Sequence, residues 1–121
     1  MRKLIFIAFM VMSVCGYAQK YEVGPTTAVW KAPAAADFLH AKAIGVKYVE
    51  VAFNQCYRGV PVDEVIPRIK EMKAKIDSAD IEVWSIHLPF SRTLDISVLD
   101  DRLRKENVDF MAEMIELCAM F

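Results

Sequence analysis

Hydrophobic residues follow two different spacings along the chain, and their alternation predicts strands that alternate with helices. Three short runs are rich in β-branched and aromatic residues, as strands are: Thr26–Trp30, Lys47–Phe53 and Ile81–Leu88. Turn-forming residues flank them, with Gly24-Pro25 before the first run and Pro89 after the third. We therefore predict three strands, with a loop from Asn54 to Pro61 after the second.

Helical spacing fills the segments that follow the first two strands. Pro33–Ala43 is predicted to be a helix because alanine is the best helix former, Pro33 suits a first turn and Gly45 provides a stop. The second helix is expected to begin near Glu64 or later, since Pro67 is harmless only in a first turn. Its apolar stripe consists of Val65, Ile66, Ile69, Met72 and Ile76.

A third helix is predicted after the last strand. Ser97, with Asp100 three residues on, resembles a capping box at its start. Its apolar stripe consists of Leu99, Leu103, Phe110, Met111, Met114 and Cys118. The order β-α-β-α-β-α predicts parallel strands joined by right-handed crossovers, and therefore an α/β fold.

Three strand–helix units leave one face of their sheet uncovered. Crossovers of one hand place all three helices on the same face, so Tyr48, Ala52 and Val83 are expected to lie open on the other. The terminal run Leu117–Phe121 also lacks a helix stop signal. We therefore expect the first three βα units of a (β/α)₈ barrel, which takes roughly 250 residues, in a truncated chain. The alternative is a small complete domain that dimerises over its open face.

Length and charge fit one folded domain and exclude several other classes. The chain has 121 residues and a formal charge of −1, with 15 Lys and Arg against 16 Asp and Glu. No basic cluster of the kind that binds nucleic acid is present. Five Pro and four Gly exclude a low-complexity or collagen-like chain.

The N-terminus has the pattern of a secretory signal peptide. Arg2 and Lys3 precede an apolar stretch over residues 4–12, and the small residues Gly16 and Ala18 stand where a signal peptidase requires them. The alternatives are a membrane anchor, which needs about 20 apolar residues, or a buried first strand. We predict a signal peptide over residues 1–18, a barrel portion over residues 19–121 and a secreted or periplasmic location.

Cleavage after Ala18 would leave 103 residues with a formal charge of −3 and two cysteines, Cys56 and Cys118. An exported chain can form disulfides. Cys56 is expected at the top of the barrel and Cys118 near the bottom, beyond the roughly 7 Å between Cα atoms that a disulfide bridges. We therefore expect no disulfide.

The alternation of side chains between the two faces of a strand indicates which residues could carry chemistry. Val49, Val51 and Phe53 are uniformly apolar and suit the helix layer, so Glu50 is expected to point into the barrel. On the third strand the apolar set consists of Trp84, Ile86 and Leu88, which are expected to face the helices. Ser85 and His87 lie between them in sequence and are therefore expected to point inward. Glu50 and His87 should therefore meet near the top of neighbouring strands as candidate catalytic residues.

Structural roles remain open for each candidate. Glu50 could pair with a Lys or Arg of a neighbouring strand, and His87 could be a hydrogen-bonded strand-end residue or a metal ligand. Two residues do not make a metal site, which needs three or four ligands. Trp30 could form one wall of a sugar-binding site or simply pack, and His40 is expected at the surface of the first helix.

Short motifs resemble the sugar phosphate isomerase/epimerase family of xylose isomerase-like TIM barrels. They are AIGVKYVEVAF over residues 43–53, IEVWSIHLPF over 81–90 and LDIS over 94–97, followed by an Arg-bearing helix. The resemblance implies isomerisation or epimerisation of a carbohydrate by proton transfer next to a carbonyl, assisted by a divalent metal. His87 corresponds to the family's strand-3 histidine and Glu50 to its strand-2 glutamate.

The same resemblance implies that the main metal ligands come from later strands, which this chain does not contain. We therefore expect the chain as given to be inactive, with Glu50 and His87 lining the pocket. Export favours an unphosphorylated sugar or an oxidised glycoside as substrate. The alternatives are a non-catalytic, exported carbohydrate-binding or assembly module that works as a dimer, and an endonuclease-like action, which the lack of a basic patch disfavours.

Overall fold

The computed structural model of the chain describes residues 22–121. The predicted signal peptide over residues 1–18 lies outside this range. Within the described range, no helix combines the length and the apolar character that crossing a membrane requires.

Two parallel strands and four α-helices make up the described part of the chain, in an α/β arrangement as predicted. In chain order the elements are α1 (Ala35–Ala43), β1 (Tyr48–Ala52), α2 (Asn54–Tyr57), α3 (Val62–Asp77), β2 (Glu82–His87) and α4 (Asp101–Cys118). The short helix α2 occupies part of the predicted loop. Helix α3 connects the two strands, so their side-by-side parallel pairing is that of a βαβ unit.

The segment predicted as a first strand, Thr26–Trp30, is not a strand. Only Thr26 makes a parallel bridge, to Glu50, and Thr27–Val29 form a 3₁₀-helix. The amide of Ala28 donates to the Thr26 hydroxyl (3.4 Å) and that of Val29 to the Thr26 carbonyl (3.2 Å). Local hydrogen bonds of this kind compete with a strand ladder and override the β-propensity of the run.

Thr27 attaches this 3₁₀-helix to the rest of the fold. The side chain is fully buried, and its Oγ1 accepts the amide of Ala52 at 2.8 Å and donates to Gln55 Oε1 at 2.6 Å. Gln55 Nε2 donates in turn to the carbonyls of Thr27 (3.1 Å) and Trp30 (2.8 Å). Side-chain hydrogen bonds thus attach this stretch to the fold in place of the backbone hydrogen bonds of a strand.

The observed ends of the helices agree with the prediction in part. Helix α1 ends before Gly45, which has the positive φ of +97° expected of a C-terminal stop. Helix α3 begins at Val62, earlier than expected, and contains Pro67 in its second turn, where only the Asp63 carbonyl loses its helical partner. At α4 the cap is Asp100, which accepts the Leu103 amide (2.8 Å), instead of Ser97.

The core lies between the sheet and the helices on one face of it. Val49, Val51 and Phe53 are buried there, as predicted, against apolar residues of α1, α3 and α4. Of the residues expected on the open face, Tyr48 is half-buried. Two of those expectations are wrong: Ala52 is buried beside the 3₁₀-helix, and Val83 packs against the core.

Candidate functional site

Glu50, Ser85 and His87 lie on the same side of the two-stranded sheet, at its C-terminal end. In the parallel register Glu50 is opposite Ser85, and Ala52 is opposite His87. Ser85 Oγ donates to Glu50 Oε2 at 3.3 Å, and His87 Nδ1 lies 3.7 Å from Glu50 Oε1. The two residues that sequence parity placed together are therefore neighbours, with a serine hydroxyl holding the carboxylate.

A β-bulge in β2 determines which residues reach this side. The register shifts between Val49 and Glu50 so that Trp84 is an extra residue without a partner on β1. Trp84 and Ser85 therefore both lie on the Glu50 side, where Trp84 is 75 % exposed and packs edge-on against Tyr48. The prediction that Trp84 faces the helices is wrong, because the extra residue of a bulge shifts the alternation of side chains between the two faces of the sheet.

The side chains of Glu50 and His87 open into a cavity of about 750 Å³. The segment after β2 forms one wall, with the Phe90 ring tilted at 45° to the His87 ring and 5.4 Å between their centroids. The hydroxyls of Ser91 and Thr93 on the same segment are hydrogen-bonded to each other at 2.8 Å. Both titratable side chains remain partly open to solvent, Glu50 at 35 % and His87 at 49 %. A small polar molecule could therefore contact both.

Arg58 lines the same cavity and was missed by the sequence reasoning. Its amide donates to the Asn54 carbonyl at 3.0 Å, which ends α2, and Gly59 follows with a positive φ of +70°. The turn directs the chain from α2 towards α3 and leaves Arg58 exposed at the cavity. The adjacent arginine and glycine in a predicted loop after a strand were the signal that could have indicated it.

Trp30 and His40 lie away from Glu50 and His87. Trp30 packs edge-on against Phe38, with 5.3 Å between ring centroids, and contacts the core. Together with His40, which is exposed as expected, it lines a separate hollow of about 690 Å³. A sugar-binding role for Trp30 stays a prediction, and the structure places it outside the Glu50–His87 cavity.

Both described cysteines are free thiols in or beside the core. Burial raises the pKa of Cys56 to about 11, and the pKa of Cys118 is also raised by burial. A thiol in this state is protonated at neutral pH, and the thiolate is the form that attacks or binds metals. Neither cysteine therefore has the character of a nucleophile.

A comparison with protein families identifies the family of this chain. A family model described as "Xylose isomerase-like TIM barrel" matches residues 38–121. The chain belongs to this family. Comparison with curated proteins and with solved structures finds no significant match. A portion of a xylose isomerase-like TIM barrel contains parallel strands, a helix that connects them and polar side chains at the C-terminal strand ends. The described residues have all three, with α3 as the connecting helix.

Xylose isomerase-like barrels are generally metal-dependent and act on carbohydrates. Across residues 22–121, no group of three or more His, Cys, Asp or Glu side chains converges as a metal site requires. Glu50 and His87 provide two donor side chains, fewer than the three or four that a metal site requires. The described residues do not fit a complete metal centre.

Proposed function

We propose that the Glu50–His87 cavity is part of the carbohydrate site of an exported protein related to sugar isomerases and epimerases. The observation that supports this most directly is the 3.7 Å approach of the carboxylate and the imidazole at adjacent strand ends, facing a cavity of about 750 Å³. In barrels of this kind the C-terminal strand ends carry the chemistry. Membership of the family supports a carbohydrate as the substrate.

The pair is suited to proton transfer next to a carbonyl. A carboxylate can take the proton from the carbon beside the carbonyl, and the electron pair of that C–H bond then forms the C=C bond of an enediolate, whose charge lies on the former carbonyl oxygen. When a proton moves from the neighbouring hydroxyl to that oxygen and the carbon-bound proton returns to the former carbonyl carbon, the product is the isomer. Return of the proton to the opposite face of the original carbon gives the epimer. The two ring nitrogens of an imidazole can donate and accept a proton, so His87 can serve as the second proton carrier.

Ser85 positions the carboxylate of Glu50 for this role. The Ser85 hydroxyl donates to one oxygen of Glu50 and leaves the other facing His87. The Phe90 ring lies beside the imidazole, tilted at 45° to it. Positioning of this kind lowers the entropic cost of bringing a substrate carbon to the base.

A divalent metal would supply Lewis-acid polarisation of the carbonyl when bound. His87 is the candidate ligand proposed from the sequence, and the described residues do not complete its coordination sphere. We expect the chain on its own to bind sugar without turning it over. Export, proposed from the N-terminal sequence, favours a sugar without a phosphate.

The proposal is tested by ligand-observed NMR of the full chain with D-fructose, a neutral ketose. We expect saturation transfer to the sugar that falls at least about tenfold in His87→Ala and in Glu50→Gln. His40→Ala and Glu113→Gln are the matched controls, because these exposed residues lie outside the cavity. Unchanged binding in both site variants would refute the proposal, and so would equal losses in the controls.

A non-catalytic module that works as a dimer is the second candidate. It is favoured by two exposed aromatic side chains, Trp84 on β2 and Phe90 after it, which are 75 % and 80 % exposed. Large apolar side chains left exposed at the surface are typical of interaction sites. Sedimentation velocity of the full chain should then give a dimer that Trp84→Lys dissociates, whereas a monomer at all concentrations contradicts this candidate.

A further inference from the structure

The segment that joins β2 to α4 forms one wall of the Glu50–His87 cavity. The residues through which it lines the cavity include Phe90, Ser91, Thr93 and Leu94. The segment contains no helix or strand, and the hydrogen bonds within its first part are local. The Leu94 amide donates to the Ser91 carbonyl at 3.0 Å, and the Thr93 amide donates to the Ser91 hydroxyl at 3.3 Å. Bonds of this kind do not fix where the segment stands relative to the sheet.

Asn107 ties this segment to another element. It lies in the second turn of α4, and its side-chain amide donates to the Asp95 carbonyl at 2.9 Å. Among residues 22–121, no other hydrogen bond joins residues 89–97 to a helix or strand. Arg104 makes a comparable bond closer to α4, to the Val98 carbonyl at 2.9 Å. The part of the segment that lines the cavity is therefore anchored at its far end by one amide.

The burial of Asn107 is unusual for a polar residue of this chain. Asn107 is 5 % exposed, and Thr27 is the other polar residue buried in the part of the chain that the structure describes. Burying an amide costs free energy unless it is hydrogen-bonded, and asparagine is a poorer helix former than alanine or leucine. The stability of α4 alone would therefore favour an apolar residue at this position. The amide is explained by its bond to the segment.

We propose that Asn107 is a positioning residue of the sugar site, which holds the segment so that its lining residues stand against Glu50 and His87. This inference rests on the proposed function, since the wall that Asn107 anchors belongs to the same cavity. Asn107 does not itself line the cavity. It acts on sugar binding through the Asp95 carbonyl and the segment, without touching the sugar.

The substitution Asn107→Leu separates positioning from stability. Leucine has the same branching and the same number of side-chain heavy atoms as asparagine, and it suits a buried helical position. Asp95 is exposed, so water can reach its carbonyl when the amide is gone. We expect the full-length variant to keep or raise the urea midpoint and to bind D-fructose about tenfold more weakly in a saturation-transfer NMR titration. Asn107→Ala, which removes the donor without adding an apolar side chain, should weaken binding in the same way.

The imidazole of His87 reports directly on where the segment stands. The centroid of the Phe90 ring lies 5.4 Å from that of the imidazole, so its ring current contributes to the chemical shift of the His87 Hε1 proton. The chain has two histidines, and His40 on α1 provides the reference signal. In both Asn107 variants the His87 signal should shift while the His40 signal stays in place. A residue that only stabilised α4 would move neither signal.

Arg104→Met is the matched control, because it removes the other side-chain bond from α4 to the segment and Val98 does not line the cavity. It should leave the fructose affinity within about twofold of the wild type and the His87 signal in place. The inference is overturned when the Asn107 variants keep the affinity, when they leave the His87 signal in place, or when Arg104→Met weakens binding as much. Fructose binding that still depends on His87 would then uphold the proposed function, whereas a wild type that does not bind fructose refutes both.

Discussion

At the scale of single residues, burial decides which side chains can take part in chemistry. Glu50 and His87 are partly exposed and adjacent, whereas Cys56 is 1 % exposed and is surrounded by core residues. Because a thiolate is poorly solvated in such a place, burial raises the pKa of Cys56 to about 11. The buried thiol therefore contributes to stability in a way that depends on pH.

We predict that the free energy of unfolding falls between pH 9 and 11 because of Cys56. In that range the folded chain keeps the thiol proton and the unfolded chain loses it, so a rise in pH favours unfolding. The loss should be about 2 kcal/mol larger in the wild type than in Cys56→Ala, measured by urea unfolding at pH 8 and pH 11. Identical pH dependence in the two proteins would rule this out.

At the scale of elements, the 3₁₀-helix Thr27–Val29 is held to β1 by side chains. The Thr27 hydroxyl accepts the Ala52 amide, and Gln55 donates to two carbonyls of the same stretch. All of these bonds depend on one buried hydroxyl and one amide side chain. The wall of the cavity that contains Ala28 and Ala52 depends on the same contacts.

We predict that Thr27→Val destabilises the chain by about 2 kcal/mol. Valine has the shape of threonine but leaves the Ala52 amide and Gln55 Oε1 without their partner, and an unsatisfied buried group costs about 1–3 kcal/mol. Urea unfolding measures the change, and hydrogen exchange at the Ala52 amide should accelerate. The control Thr93→Val removes an exposed hydroxyl and should stay within about 0.5 kcal/mol.

The sequence predicted the elements whose buried residues recur with a regular spacing. It did not predict the elements whose conformation depends on side-chain hydrogen bonds. Val49, Val51 and Phe53 recur at every second position because they are buried, so β1 and the position of Glu50 on the face opposite the core could be derived. The 3₁₀-helix depends on Thr27 and Gln55, which are 28 residues apart in sequence. Such a long-range contact leaves no periodic signal.

The bulge escaped prediction for a similar reason. Strict alternation assigns Trp84 to the helix layer, and nothing in the run Ile81–Leu88 indicates an extra residue. Ser85 and His87 were nevertheless placed correctly, because they lie on the C-terminal side of the irregularity. Arg58 was not found because loop residues carry no periodicity that could orient them.

At the scale of the whole molecule, α4 packs mainly through its second half. Met114 is buried, whereas Leu103 is 36 % exposed near the other end. Between α4 and β2 lies an apolar hollow of about 1100 Å³, whose lining includes Ile96 and Ile115, which are 54 % and 57 % exposed. An apolar hollow of this kind binds hydrophobic probes when nothing else covers it.

We predict that the full chain binds the dye anilinonaphthalene sulfonate in this hollow. Ile115→Lys places a charge in the lining and should reduce the dye fluorescence by about half or more. Val108→Lys is the matched control, because Val108 is 48 % exposed on the same helix and does not line the hollow. Equal fluorescence from the two variants would show that the dye binds elsewhere.

The unpaired position of Trp84 has a consequence for how relatives should be aligned with this chain. Because Trp84 has no partner on β1, losing that residue would restore an unbroken ladder while Ser85 and His87 keep their places opposite Glu50 and Ala52. A length change between Ser85 and His87 would instead turn the imidazole into the hydrophobic core. Gaps in family alignments are therefore tolerable at position 84 and intolerable two residues later.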